Sequence, residues 1–308
     1  MTAELIRVAP AEWPALAGVI FDWNRRSDGG VHCLHAQNGC DVASHAAELA
    51  ALSPDAAAFW ALRGCGQLQA IVGCEFDLSL QRAWVRGPLW NDRRVADVLL
   101  AAVGPALETA LPAIRHFDAF PTLASEPLNA WLAAAGYAPL QVHTLLRAPI
   151  GAPQSAAAAN VRRAASSDIP AASALHQALF PSAYIAEADL IRGLQATDCA
   201  LFVSTDDDGK LSGYLFVQDA PAEQEAYIDY VGVDAAQRGR GLGRALLDAA
   251  ARWGAARGRG HLALTVREDR RSALELYRRS GFTEVSSARH WRRTVDASTP
   301  RTDPRERG

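Results

Sequence analysis

The stretch Val233-Asp234-Ala235-Ala236-Gln237-Arg238-Gly239-Arg240-Gly241-Leu242-Gly243-Arg244 follows an apolar segment, Ala226 to Val233. It opens a run in which Leu242, Ala245, Leu246, Ala249 and Trp253 recur at helical spacing. The order predicts a strand, a glycine-rich turn and a long helix over 241–258. Such a turn presents several backbone N–H groups at the positive end of the helix dipole, where they can cradle a phosphate. Glycine permits the close backbone approach and the positive φ that a cradle needs. The chemistry therefore points to a diphosphate. A P-loop would need Gly-x4-Gly-Lys-Ser/Thr, but Lys210 is the only lysine of the chain. A dinucleotide turn would need a third glycine where Arg244 stands. Its ribose-reading acid would fall where Gly258 to His261 lies.

Outward from the turn, the C-terminal half reads as mixed strand and helix. Val161 to Ala164 is a short strand, and Asp168 can cap a helix running towards Phe180. A second helix spans 185–194. Strands follow at 200–204 and 211–217, joined by the turn Asp206-Asp207-Asp208-Gly209. The strand 226–233 leads into the glycine turn. A strand over 261–266, a helix over 271–279 and a last strand from Phe282 complete the half. Hairpins followed by strand–helix units predict an α/β class: a mixed, largely antiparallel sheet flanked by helices.

The N-terminal half repeats this order weakly. Strands are expected at 5–8, 68–76, 82–86 and 114–120, with helices at 12–24 and 95–108. The helix Leu128 to Gly136-Tyr137 resembles Leu274 to Gly281-Phe282, one domain length later. Two copies of one fold in tandem explain this; a common helix stop is the alternative. The expected organisation is a domain over 1–147, a Pro/Gly/Ser/Ala-rich linker over 148–159, a domain over 160–295 and a polar tail over 296–308.

The 308 residues suit two domains. A hydrophobic content of 49% is ample for ordinary cores. The net charge of -3 argues against a nucleic-acid partner. Apolar runs fall short of the roughly 20 residues of a spanning helix, so no membrane partner is expected. Met1-Thr2-Ala3-Glu4-Leu5 lacks a signal-peptide layout. The expected location is cytoplasmic. Five cysteines without a signal peptide argue against a disulfide framework. His32, Cys33, His35, Cys40 and His45 are metal-binding residue types, but their spacing matches no structural zinc pattern, so no metal is expected. Arg257-Gly258-Arg259-Gly260 falls where a helix must end and reads as a basic C-cap, not an RNA-binding run.

With these residues in view, the sequence resembles the GNAT superfamily of acyl-CoA-dependent N-acyltransferases. The matching positions are Val233, Arg238, Gly239, Gly241 and Gly243, then Ala273, Leu276, Tyr277, Gly281 and Phe282. The resemblance covers about residues 160–292, and the weaker N-terminal match suggests a tandem GNAT protein. It implies acetyl-CoA as donor, with its pyrophosphate held at Arg238 and by the amides of Gly239, Arg240, Gly241, Gly243 and Arg244. It also implies that the strand 227–233 splays open, so that pantetheine pairs with it like an extra strand. Backbone N–H groups at Val231 and Val233 would then polarise the acetyl carbonyl. Gly232 suits either a bulge in this strand or close packing.

Tyr277 aligns with the family's tyrosine near the thioester sulfur and would protonate the departing thiolate. Tyr227, Asp229 and Val231 are expected on one face of their strand. Tyr227 stands where some members carry an acidic base, which leaves Asp229 to bind or deprotonate the amine, directly or through water. Arg270 replaces an asparagine that usually helps hold coenzyme A. The N-terminal copy has Asn91-Asp92-Arg93-Arg94 in place of the glycine turn and Leu132 in place of Tyr277, so no productive coenzyme A binding is expected there. The resemblance implies an acetyl-CoA-dependent N-acetyltransferase acting on a primary amine, with a small molecule as acceptor. A non-catalytic acyl-CoA sensor and a protein or peptide N-acetyltransferase are the alternatives. The sequence leaves the acceptor and the oligomeric state unread.

Overall fold

A computed structural model of the chain describes residues 5–24, 41–64, 67–151, 160–181, 187–206, 208–221 and 224–295. The chain divides into two compact units. One comprises residues up to His143 together with the chain from Ser286 on; the other is Thr144 to Val285.

The first unit opens with β1 (Leu5–Arg7) and a 3-10 turn (Pro10–Leu16), then α1 (Ala17–Asn24) and α2 (Val42–Ala51). It continues through β2 (Ala57–Gly64), β3 (Gln67–Asp77), β4 (Arg82–Trp90), α3 (Arg93–Ala110), β5 (His116–Ala119), α4 (Glu126–Ala134) and β6 (Ala138–Pro149). The helix expected over 12–24 thus begins as a 3-10 turn, with Pro14 inside it. Neither α2 nor β2 follows from periodicity. Half of the ten residues of α2 are alanine, and Ala57 to Leu62 of β2 are buried in succession, so no polar alternation marks the strand. What starts α2 is Asp41, whose carboxylate accepts from the Ser44 amide at 2.7 Å.

The second unit runs β7 (Val161–Arg163), α5 (Ile169–Leu179), α6 (Glu187–Gln195), β8 (Cys199–Thr205), β9 (Leu211–Ala220), β10 (Glu225–Val233), α7 (Leu242–Ala255), β11 (His261–Arg267), α8 (Arg271–Arg279) and β12 (Thr283–Thr294). Asp168 stands at the N-cap of α5 as expected but makes no side-chain capping bond to it; its carboxylate instead takes the Ala165 amide of the preceding turn at 2.7 Å and pairs with Arg162. Asp207 of the expected hairpin turn lies outside the described residues, but Gly209 has the positive φ the turn requires, at 78°. Arg257 and Arg259 behave as a helix end requires. Arg257 donates to the Trp253 carbonyl, and Arg259 forks onto Asp219 at 2.5 and 2.9 Å.

Within the first unit the strand order is β1-β2-β3-β4-β5-β12, and within the second it is β6-β11-β10-β9-β8-β7. The two orders repeat one plan. β4 pairs in parallel with β5 over Arg82–Val85 and His116–Ala119. β10 pairs in parallel with β11 over Glu225–Ile228 and His261–Leu264. The internal duplication expected from the two helix–Gly–aromatic segments is therefore present. Two strands run from one unit into the other. The first part of β6 belongs to the first unit and its end to the second; β12 begins in the second unit and continues in the first from Ser286. Ala148 and Pro149, where the linker was expected to begin, are the end of β6. Residues 152–159 and the tail 296–308 lie outside the described residues, as do His32, Cys33, His35 and Cys40.

In the second unit the sheet is covered on both faces. On one face α7 packs Leu246, Leu247, Ala250 and Trp253 against Ile228, Leu215 and Leu264. On the other, Ile169 and Ala172 of α5 and Leu190 of α6 pack against Leu201, Tyr214 and Phe216. Each such leucine or isoleucine stabilises the unit by roughly 1.5–3 kcal/mol of transfer free energy. In the first unit Asp118 on β5 is fully buried. It accepts from His290 Nε2 at 2.7 Å and from Arg292 at 2.7 and 3.1 Å, and it also pairs with Arg82.

Candidate active site

The site is assembled where β10 parts from β11. Parallel pairing stops at Ile228, although both strands continue. At the same point the pairing with β9 slips: Ile228 faces Val217, Tyr230 faces Phe216, and Asp229 is the extra residue. The bulge lies here and not at Gly232. Gly232 is required by packing instead, since a Cβ there would meet Leu179 at 2.7 Å and Tyr214 at 2.8 Å.

The bulge also corrects the expected facing. Asp229 follows Tyr227 by two residues, but beyond it the alternation is reset. Tyr230 packs with Tyr214 and Phe216 on the α5 side, while Val231 and Val233 pack with the α7 core. Val231 therefore does not share a face with Tyr227. A period of two cannot carry through an inserted residue.

The register fixes where the amides of β10 point. The Asp234 amide donates to the Ser212 carbonyl at 2.8 Å, so Asp234 and the Gly232–Tyr214 pair belong to the hydrogen-bonded set with β9. Val231 and Val233 fall in the alternate set, whose N–H groups point away from β9. On that side β11 no longer pairs. Two backbone donors, those of Val231 and Val233, thus face an open strand edge.

The turn follows directly. Asp234 caps a short 3-10 turn (Ala235–Gln237) by accepting the Ala236 amide at 2.8 Å, and Arg238 Nε returns to the Val233 carbonyl at 3.2 Å. Gly239 and Gly241 have φ of 80° and 82°, and open space surrounds the position of a Cβ at each. Gly241 is the N-cap of α7 and has no side chain to satisfy the helix's first amides. Among the described residues the amides of Gly239, Arg240, Gly241, Leu242 and Gly243 donate to no protein acceptor. A cluster of oriented donors at a helix N-terminus is matched to the oxygens of a diphosphate. Arg240 is exposed. Arg244 pairs with Asp248 at 3.1 Å and donates to the Arg279 carbonyl at 3.2 Å, which ties α7 to α8.

Gly243 brings three elements together. A Cβ there would meet Leu276 of α8 at 2.9 Å and Val233 of β10 at 4.0 Å. Tyr277 is the next residue of α8 and is buried, with its ring 5.6 Å from that of Phe282. Burial pushes its phenol well above the ordinary value, so the hydroxyl keeps its proton. Arg270 is the N-cap of α8, makes no side-chain capping bond and is exposed.

On the opposite face, Asp229 accepts from Gln218 Nε2 at 2.7 Å. Tyr227 donates to Thr265 Oγ1 at 2.8 Å, and burial pushes its phenol up to about 12. Tyr230 stands edge-on to His176 and Phe180, at 4.8 and 5.0 Å between ring centres, and His176 Nδ1 lies 2.5 Å from the Tyr214 hydroxyl. Sequence reasoning missed Tyr230, Gln218 and His176. Tyr230 was not singled out, and Val231 was placed on the face of Tyr227, because a shift of register at Asp229 leaves no mark in the sequence.

In the first unit the corresponding turn is closed. Asn91 and Asp92 connect β4 to α3, and the Asp92 carboxylate takes the Arg94 amide at 2.9 Å. A carboxylate already occupies the helix N-terminus where the second unit leaves amides open. Leu132, at the Tyr277 position, is fully buried. Among the described residues no three His, Cys, Asp or Glu side chains gather to hold a metal, and no helix is long and apolar enough to cross a membrane.

Known proteins resemble this chain in sequence and in fold. The profile of the acetyltransferase (GNAT) family matches residues 169–282. A mycothiol acetyltransferase of Clavibacter michiganensis is 38% identical over 93 residues, 30% of this chain and 30% of that protein. A streptothricin acetyltransferase of Streptomyces lavendulae is 38% identical over 85 residues, 28% of this chain and 45% of that protein. The chain thus spans less than half the length of these curated relatives. A tandem GNAT protein from the clavulanic acid biosynthesis pathway shares the fold across 96% of this chain and 99% of its own, with a TM-score of 0.66 and 16% identity. With the duplicated sheet plan, the open β10 edge and the glycine turn, these likenesses mark residues 169–282 as matching the acetyltransferase (GNAT) family, and the fold of the chain is that of a tandem GNAT protein.

Proposed function

We propose that the chain is an acetyl-CoA-dependent N-acetyltransferase, with its second unit catalytic, that transfers acetyl directly to a primary amine of a small molecule. One observation carries the reading: amides open at Gly239 to Gly243, on the same side of the unit as the unpaired edge of β10. The amides of Gly239, Arg240, Gly241, Gly243 and Arg244, with Arg238 beside them, would hold the pyrophosphate. The Val231 and Val233 N–H groups would meet the developing oxyanion of the acetyl carbonyl.

In a ternary complex the amine nitrogen attacks the thioester carbon. The new C–N bond forms, the C–S bond breaks, and the thiolate takes a proton from the Tyr277 hydroxyl, while the second proton shed by the acylated nitrogen passes through water to restore the phenol. Asp229, oriented by Gln218, binds the incoming ammonium and accepts its proton directly or through water. The first unit, with Asp92 filling its helix N-terminus, binds no coenzyme A productively.

A small acceptor is supported by the relatives, one named for mycothiol and one for streptothricin. The test is turnover of the full chain with acetyl-CoA across a panel of small amines and N-terminal peptides, read as free thiol released. Thiol release with small amines and none with peptides is expected. Release with peptides alone would replace the small acceptor by a peptide. Tight acetyl-CoA binding without thiol release on either panel would make the chain a sensor.

A further inference from the structure

The two faces of β10 differ at its open edge. On the α7 face Tyr277, Leu246 and Ile228 are buried in one core. This leaves the α5 face for the approach of an acceptor. The last turn of α5 lies against the strand there, since a Cβ on Gly232 would meet Leu179 at 2.7 Å. On this face Asp229, Tyr230, Phe180, Gln218, Tyr227 and Thr265 are all partly exposed. The bulge sets a carboxylate beside an aromatic ring. Asp229 is the extra residue, so both it and Tyr230 project to the α5 side, where Asp229 meets Gln218 and Tyr230 meets Phe180.

The charge on this face is negative where it is accessible. Burial first, and then the charges of Asp229 and Glu225, push the Tyr227 phenol up. The arginines that border the face are already engaged. Arg147 pairs with Glu225, and Arg267 with Asp269. Arg192 pairs with Asp198 at 3.6 Å and donates to the Gln218 side-chain oxygen at 3.3 Å. A carboxylate beside the reacting nitrogen would therefore meet like charge and no waiting cation. The aromatic wall is firmly backed. Tyr230 and Phe180 stand edge to face, and both rest on His176, which is buried and hydrogen-bonded to Tyr214.

We propose that the acceptor is a primary amine on an aromatic or other flat apolar body, with no carboxylate beside its nitrogen, and that Tyr230 and Phe180 select it. The ammonium would pair with Asp229 before it loses its proton. The two rings would cover the apolar body, and the face of Tyr230 would also attract the cation. The inference rests on β10 as the place of acetyl transfer, and binding tests it apart from the transfer itself.

The test is calorimetric binding of phenethylamine, butylamine and phenylalanine to the full chain saturated with coenzyme A, with thiol release from acetyl-CoA followed in parallel. Phenethylamine should bind saturably, and butylamine and phenylalanine about tenfold more weakly or worse. Tyr230→Leu and Phe180→Leu should each weaken phenethylamine by about 3–30-fold, the range of one aromatic contact, with coenzyme A still bound. Tyr230→Phe keeps the ring and should restore most of the loss. Phe180 is partly exposed at the end of α5, so its variant serves if Tyr230→Leu fails to fold. Phenethylamine bound as expected but without thiol release would support the pocket and remove acetyl transfer. Thiol release as efficient with butylamine or phenylalanine as with phenethylamine would keep the transfer and overturn the pocket. Absence of saturable phenethylamine binding, or unaltered binding in both leucine variants, would overturn it as well.

Discussion

Tyr277 and Asp229, the proposed acid and base, lie on opposite faces of β10, and their surroundings suit opposite tasks. Burial holds the Tyr277 proton on its phenol. That makes the group a poor base and a retained acid, as protonation of a departing thiolate requires. Tyr277→Phe keeps the ring against Phe282 and removes only the hydroxyl. It should lower kcat by about 100-fold or more, the scale of general-acid catalysis, with little change in KM for acetyl-CoA. Steady-state kinetics on any amine that turns over would show this, and an unchanged kcat would remove Tyr277 from the chemistry. Asp229 differs in being held by Gln218 at a bulge, where an extra residue re-aims the side chain. Asp229→Asn preserves that hydrogen bond and removes the charge. The acidic limb of the pH profile of kcat/KM should flatten, and the rate should recover at high pH, where the amine is already neutral. An unaltered profile would assign proton removal to another group.

The turn between β10 and α7 was legible as an element because its requirements are local. Glycines at positive φ, a helix stripe and an apolar strand are all written in consecutive residues. Gly241→Ala tests the requirement. An alanine at φ 82° costs about 1–2 kcal/mol, or roughly 5–30-fold. That penalty should appear as a raised KM for acetyl-CoA. Gly136→Ala imposes the same strain at φ 80° in the first unit and should lose stability while leaving KM unchanged. The same locality explains what was missed. The face reversal beyond Asp229 depends on pairing with β9, which no period within β10 encodes. β2 is hidden because burial on both faces erases alternation, and α2 because half of its ten residues are alanine, which leaves a weak apolar stripe. Gly232 was noticed but given two readings, and only its close approach to Leu179 and Tyr214 decides between them. Arg270 marked a departure from the family pattern, and its exposed place at the start of α8 leaves the glycine turn intact.

At the scale of the molecule, the chain duplicates one plan and then exchanges strands between the copies. The end of β12 is fastened in the first unit by Asp118, which meets Arg82 of β4 and His290 and Arg292 of β12. Burial alone would raise this carboxyl. The hydrogen bonds from His290 and Arg292 and the charge of Arg82 more than reverse it, so its pKa lies below the usual carboxylate range. A lowered folded value stabilises the protein above the ordinary aspartate pKa of about 4, and that contribution is lost as pH falls through the folded value. Asp118→Asn leaves the arginines without a counter-charge and should cost about 3–5 kcal/mol at pH 7. In urea unfolding, the gap between variant and parent should narrow at pH 3.

The exchange also decides where the second unit can be cut. A fragment of residues 160–295 follows the boundary suggested by composition, yet it discards β6. With β6 go Leu146 and Ala148 of the α7 core, the Ile150 amide bond to Gly260, and Arg147, which pairs with the buried carboxylate of Glu225. Removing one partner of a buried pair costs about 3–5 kcal/mol, a large part of the stability of any domain. The fragment 160–295 should therefore give no cooperative thermal transition and no coenzyme A binding. The fragment 144–285 keeps the end of β6, Thr144 to Pro149, beside β11 and both faces of the sheet, so it should melt cooperatively and bind coenzyme A through the glycine turn. Equal behaviour of the two fragments would mean that β6 is dispensable and contributes little to the second unit.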